Sequence, residues 1–166
     1  MITGNIYLLE QGASLLGELD DHVYAAIPTE ISQSGIGAHL RHCLDFYGSF
    51  LRGIESGKVD YDLRERNELI ETSRCAALAK IREMVDQLHR VCLGRDVELL
   101  VKRENEHSFL PSAWDRSSAQ RELQFLFSHT VHHYALINVI LRLQGIQPAS
   151  DFGVAPSTLK FWQSKA

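Results

Sequence analysis

The chain has 166 residues, 45% apolar and 23% charged, with 17 basic against 21 acidic side chains and a formal charge of −4. That length suits one domain able to bury roughly two-thirds of its unfolded surface, and the composition excludes disordered, collagen-like and coiled-coil classes. The acidic balance supplies no general attraction to phosphate backbones or anionic lipid, so neither nucleic acid nor a membrane is an expected partner.

Between Asn5 and Leu19 the residues Ile6, Leu8, Leu9, Ala13, Leu15, Leu16 and Leu19 recur with helical spacing and predict a first helix. The turn-forming segment PTEISQSG separates it from a second helix, about Ile36 to Ile54, which ends near Gly53 and Gly57. KVDYDLRERN then reads as polar and irregular. From Glu68 to about Cys92 the apolar residues Leu69, Ile70, Ala76, Leu78, Ile81, Val85 and Leu88 return every three or four positions, predicting a third helix that stops before Gly94. In DVELLVKRENEHSFLPSAW, Val97, Leu99 and Val101 alternate ahead of a polar turn at Arg103 to Glu106, a pattern that admits a short β-hairpin. A fourth helix, the longest, is expected after Asp115, with Ser117 and Gln120 as its capping box and Gly145 and Pro148 as its stop. The tail carries Phe152, Phe161 and Trp162 and is expected to pack on the helices as a strap. Together these elements predict a mostly α fold, a four-helix bundle in a single domain over residues 1–166.

Cys43, Cys75 and Cys92 are an odd number with no C-x-x-C pair, which argues against a disulfide framework or zinc knuckle and for a reducing cytoplasm. The N-terminal sequence lacks the basic start and apolar run of a signal peptide, and no segment approaches the roughly 18 uninterrupted apolar residues of a membrane span.

Five of the eight histidines fall in two short helical segments: His39 and His42 in GAHLRHCLDFY, and His129, His132 and His133 in FSHTVHHYALI. At helical pitch His129 and His133 lie about 40° apart around one helix, and His39 and His42 about 60° apart around another. The face of the fourth helix that carries His129 and His133 continues through Glu122, Phe125, Leu126, Leu136 and Ile140, so it is expected to point inward. Imidazoles directed into a core need partners, and a divalent ion shared between facing helices satisfies them together. Histidine donors favour zinc, nickel, copper or iron over magnesium or calcium. The zinc-protease pattern is absent, because Thr130 stands where that motif places its glutamate.

At these residues the sequence resembles the DinB-like superfamily of metal-dependent four-helix-bundle proteins. That family carries one histidine on its second helix, an H-x-x-x-H pair on its fourth, and a glycine about a dozen residues later. Here SGIGAHLRH supplies His42, HTVHH supplies His129 and His133, and Gly145 follows His133 by twelve residues. The resemblance implies a three-histidine divalent site of His42, His129 and His133 with an open coordination position, and a fold that commonly dimerises. His39, His132 and Glu71 are then expected as supporting groups beside the ligands. The expected cofactor is a divalent transition metal, zinc or nickel foremost, with iron and manganese as further options.

For function the resemblance implies a metal-dependent enzyme, a thiol-dependent transferase or a hydrolase, acting on a small molecule such as a low-molecular-weight thiol. A non-catalytic metal-binding stress-response or interaction protein is the alternative that the same residues admit. Tyr61, Asp62, Arg64, Arg66 and Glu71 lead into the third helix, either as an anion-binding cluster at the site mouth or, more simply, as a solvated charged face. The strip Phe127, Val131 and Ala135 lies opposite His129 and is expected either to form a homodimer contact or to pack beneath the tail.

Overall fold

Four long helices carry the architecture: α1 (Ile2–Glu18), α3 (Ile36–Ser56), α5 (Arg74–Arg90) and α6 (Ala119–Leu143). Between and after them lie α2 (Asp21–Ala25), β1 (Lys58–Val59), α4 (Glu68–Thr72), β2 (Glu98–Lys102), β3 (Trp114–Ser118) and α7 (Pro156–Gln163). The structure, a computed structural model, describes residues 1–29, 33–91, 96–103 and 113–165. Cys92, the stop before Gly94 and most of the expected hairpin turn, from Glu104 to Glu106, lie outside the described residues. The chain is mostly helical with a small three-stranded sheet, ordered β1-β2-β3. No helix among the described residues is long and apolar enough to cross a membrane.

Each long helix buries one stripe, and packing follows in the pairs α1 with α5, α1 with α6, α3 with α5 and α3 with α6. Leu9, Leu16, Ile36, Leu44, Phe50, Ile81, Met84, Leu88, Leu123 and Tyr134 meet in one continuous core. A buried polar thread fixes the register of three of these helices. Tyr47 Oη on α3 donates to Asn5 Oδ1 on α1 at 2.8 Å. Asn5 Nδ2 donates to the Leu123 carbonyl on α6 at 3.0 Å, and Thr130 Oγ1 donates to Tyr47 Oη at 3.2 Å. Buried polar groups satisfied in this way specify one alignment, because any slip leaves them unpaired. Thr130 adjoins His129, so the thread also sets the height at which α6 faces α3.

Several boundaries differ from the sequence expectations. The first helix begins at Ile2 and is followed by α2, whose Val23 N–H donates to Asp20 Oδ1 at 2.7 Å. The third helix is two helices, because the Ser73 hydroxyl caps a new start by accepting from Ala76 N–H at 3.3 Å. The fourth begins at Ala119, since Trp114–Ser118 pair antiparallel with β2 from Glu98↔Ser118 to Lys102↔Trp114. Its cap is Ser118, which accepts from Arg121 N–H at 3.3 Å, while Ser117 instead bonds Glu122 at 2.5 Å. The segment expected to be irregular contains β1, which runs parallel to β2. Within the tail Phe152 is buried, but Phe161 and Trp162 stand exposed on α7 and do not pack as a strap. Leu136 is 37% exposed and therefore not part of the inward face of α6.

Candidate metal centre

Two helices face each other at the site. α3 presents His39 and His42, α6 presents His129 and His133, and the crossover between β1 and α4 lays Tyr61 and Arg64 against them. The approach is close at the start of α3, where a Cβ on Gly37 would run into the Glu71 backbone carbonyl of α4. That contact seats Glu71 beside α3, where it accepts a bond from Arg41 Nε.

The structure brings His42, His129 and His133 together, their ligand atoms all within 4.8 Å of one another. His42 Nε2 lies 3.1 Å from His129 Nε2, and His133 Nε2 lies 3.2 Å from the same atom. Nitrogens bound to one ion at about 2.0–2.1 Å stand about 2.9–3.4 Å apart for octahedral or tetrahedral angles, so this cluster is compatible with a metal site. Hydrogen bonding among the rings alone satisfies it poorly, since His129 Nε2 has one lone pair for two neighbours. His129 Nδ1 is buried without a partner among the described residues.

The remaining expected site residues take different places. His39 Nδ1 lies 3.0 Å from His133 Nδ1, the ring nitrogen directed away from the cluster. A His133 bound through Nε2 carries its proton on Nδ1 and donates it to His39, the kind of bond that orients a metal-bound imidazole. His132 is exposed, with its ring edge-on to His133 at 5.1 Å. Among the described residues Glu71 reaches the site through Arg41, which also pairs with Asp45 at 2.7 Å.

Burial lowers the pKa of all three clustered histidines, to about 4 for His42 and His129 and about 3 for His133; neighbouring imidazoles add to the effect in each, and Arg64 in the first two. The rings are therefore neutral at pH 7, the form in which imidazole ligates a metal.

An aromatic wall closes one side of the centre. Phe46 stacks on His129 with ring centres 4.3 Å apart and on Tyr61 at 4.9 Å, and Phe125 lies 5.6 Å from His129. Sequence spacing did not single out Phe46, although its position four residues after His42 on one helix was the available signal. Tyr61 donates to the buried Glu122 at 2.8 Å. Tyr61, Phe125 and Glu122 also line a cavity of about 310 Å³ together with Lys102, Arg103, Arg116 and Arg121. Of the charged run between Tyr61 and Glu71, Asp62 pairs with Lys102 at 3.1 Å. Arg64 alone of that run reaches a histidine of the cluster, with Nη1 3.0 Å from His42 Nδ1.

The chain is 34% identical over 105 residues to FK506-binding protein 5 of Rhizopus delemar, a match that covers 61% of this chain and 27% of the relative. The matched segment thus spans about a quarter of that protein's length. No solved structure matches the chain. The family model described as the DinB family matches residues 10–158, which contain both histidine segments and all four long helices apart from the first turns of α1, and the chain belongs to that family.

Proposed function

We propose that this chain is a metal-dependent enzyme, a thiol-dependent transferase or hydrolase acting on a small molecule, built as a single four-helix-bundle domain of α1, α3, α5 and α6. His42, His129 and His133 are the proposed ligands of one divalent transition ion, zinc or nickel first. The observation that carries this reading is the convergence of three neutral imidazole nitrogens at 3.1 and 3.2 Å, which have too few lone pairs to satisfy one another. A divalent ion in such a setting acts as a Lewis acid and lowers the pKa of a water or thiol nucleophile.

The chain's own residues supply the surroundings. The Phe46, Tyr61 and Phe125 wall excludes water from one side and strengthens electrostatic interactions there. His39 holds the His133 ring in orientation. A homodimer in the cytoplasm is part of the proposal. The location is supported by the free Cys43 and Cys75, and the dimer by the exposed apolar face of Leu136, Val139 and Leu143 on α6.

The test is a screen of small thiols with electrophilic acceptors on the full chain. Turnover should vanish with a chelator and return with added zinc or nickel. A thiol-transfer activity that survives alanine at all three histidines would overturn the reading.

A further inference from the structure

Among the described residues no carboxylate pairs with Arg64. Its Nη1 lies 3.0 Å from His42 Nδ1 and its guanidinium carbon 5.5 Å from the centre of the Phe46 ring. Nε is buried and has no hydrogen-bond partner among the described residues. The nearby carboxylates are committed elsewhere: Asp45 and Glu71 to Arg41, Asp62 to Lys102, and Glu65 to Arg52 at 3.3 Å. A half-buried guanidinium costs desolvation energy that its contacts with a neutral imidazole and the Phe46 ring offset only in part.

His42 adds a second conflict. Coordination through Nε2 leaves the ring proton on Nδ1, and that N–H then faces Arg64 Nη1 as donor against donor. His133 has no such conflict, because its Nδ1 faces a nitrogen of His39 that can accept. An acceptor beside Arg64 and His42 satisfies Nη1–H and Nδ1–H together, and a second oxygen of the same group reaches the adjacent Nη2–H of the fork.

We infer that Arg64, with the Nδ1 edge of His42, is the anchoring site for a carboxylate group of the small molecule that the metal centre takes. The inference rests on the proposed metal centre and names the chemistry of its substrate. One guanidinium matches one negative charge, and its planar fork suits the two coplanar oxygens of a carboxylate. The tetrahedral oxygens of a phosphate match one planar fork less closely, and Arg41, already neutralised on two sides, supplies no second free guanidinium.

The experiment uses the full chain loaded with cobalt(II) and titrated with 3-mercaptopropionate or 2-mercaptoethanol, followed by the thiolate-to-cobalt absorption. The acidic thiol should bind at least about 10-fold more tightly than the neutral one, as expected for a charge-assisted bidentate contact. That preference should disappear in Arg64→Gln and persist in part in Arg64→Lys. In parallel, acetate should move the Arg64 Nε–H nuclear magnetic resonance signal saturably, and inorganic phosphate should compete less well. Equal affinities in the parent protein, a preference that survives Arg64→Gln, or phosphate outcompeting acetate would each overturn the assignment. A protein that takes up no cobalt overturns the metal reading instead, and the acetate titration of the metal-free chain then decides Arg64, with a flat response counting against it. If Arg64→Gln does not fold, Arg64→Lys and the acetate titration of the parent protein carry the decision.

Discussion

Protonation of three neighbouring imidazoles governs how the metal-free protein responds to acid. In the unfolded chain a histidine takes up its proton near pH 6.5. In the fold, burial holds His42 and His129 back to about 4 and His133 to about 3. Between those values the unfolded state binds more protons, so stability must fall as pH falls through the window from about 6.5 to about 3, and is fully present above it. Thermal unfolding in the presence of a chelator should therefore show a lower Tm at pH 5 than at pH 7.5. His42→Ala, His129→Ala and His133→Ala should each flatten that dependence. An unchanged Tm across the window would show that the rings are not buried together. At the same scale, His39→Ala should weaken metal affinity by about 10- to 100-fold, because it removes the acceptor that orients His133. His132→Ala should leave affinity unchanged, since that side chain is exposed. Competition with a colorimetric chelator separates the two.

Elements deliver these residues, and two of their contacts have measurable weight. Gly37 lets α3 approach α4 so closely that Gly37→Ala would press on the Glu71 backbone, and an overpacking cost of about 1–3 kcal/mol is expected in urea unfolding. Tyr47→Phe cuts the polar thread that joins α1, α3 and α6, leaving Asn5 Oδ1 without its donor while Thr130 keeps its bond to the Leu126 carbonyl, and should cost about 1–3 kcal/mol. A neutral result for both would mean that helix register is set by the apolar core alone. The four long helices were legible because their apolar residues recur at the helical period, which depends on local sequence. The break at Ser73 was not, since apolar spacing runs on through Leu69, Ile70 and Ala76 while the cap interrupts the backbone. The antiparallel partner of β2 was legible only in kind, since the expected hairpin ends at Trp114 and β3 runs from there to Ser118. WDRSS has no apolar alternation of its own and takes its conformation from pairing with β2. The histidine pairs could be read from spacing within each helix, but the placement of Arg64 against His42 depends on a crossover whose path no periodicity encodes.

At the scale of the whole molecule, apolar surface remains on α6. Leu136, Val139 and Leu143 are 37%, 51% and 56% exposed along one side of the helix. By contrast Phe127 and Val131 of the expected dimer strip are half-buried against the core, and Phe127 closes on Gly4 of α1. If the chain pairs with a second copy, Leu136, Val139 and Leu143 are the better surface. Val139→Glu should then shift sedimentation from dimer to monomer at tens of micromolar, a conventional working range, without lowering Tm. A monomer in the parent protein at that concentration would remove the dimer from the account. The site, the fold and the family membership meet in a single quantity, the metal content of full-length protein purified without an affinity tag. Elemental analysis should find about one divalent transition ion per chain in the parent protein, and none above background in the variant with alanine at His42, His129 and His133. Zinc or nickel bound by that triple variant as tightly as by the parent would contradict the account.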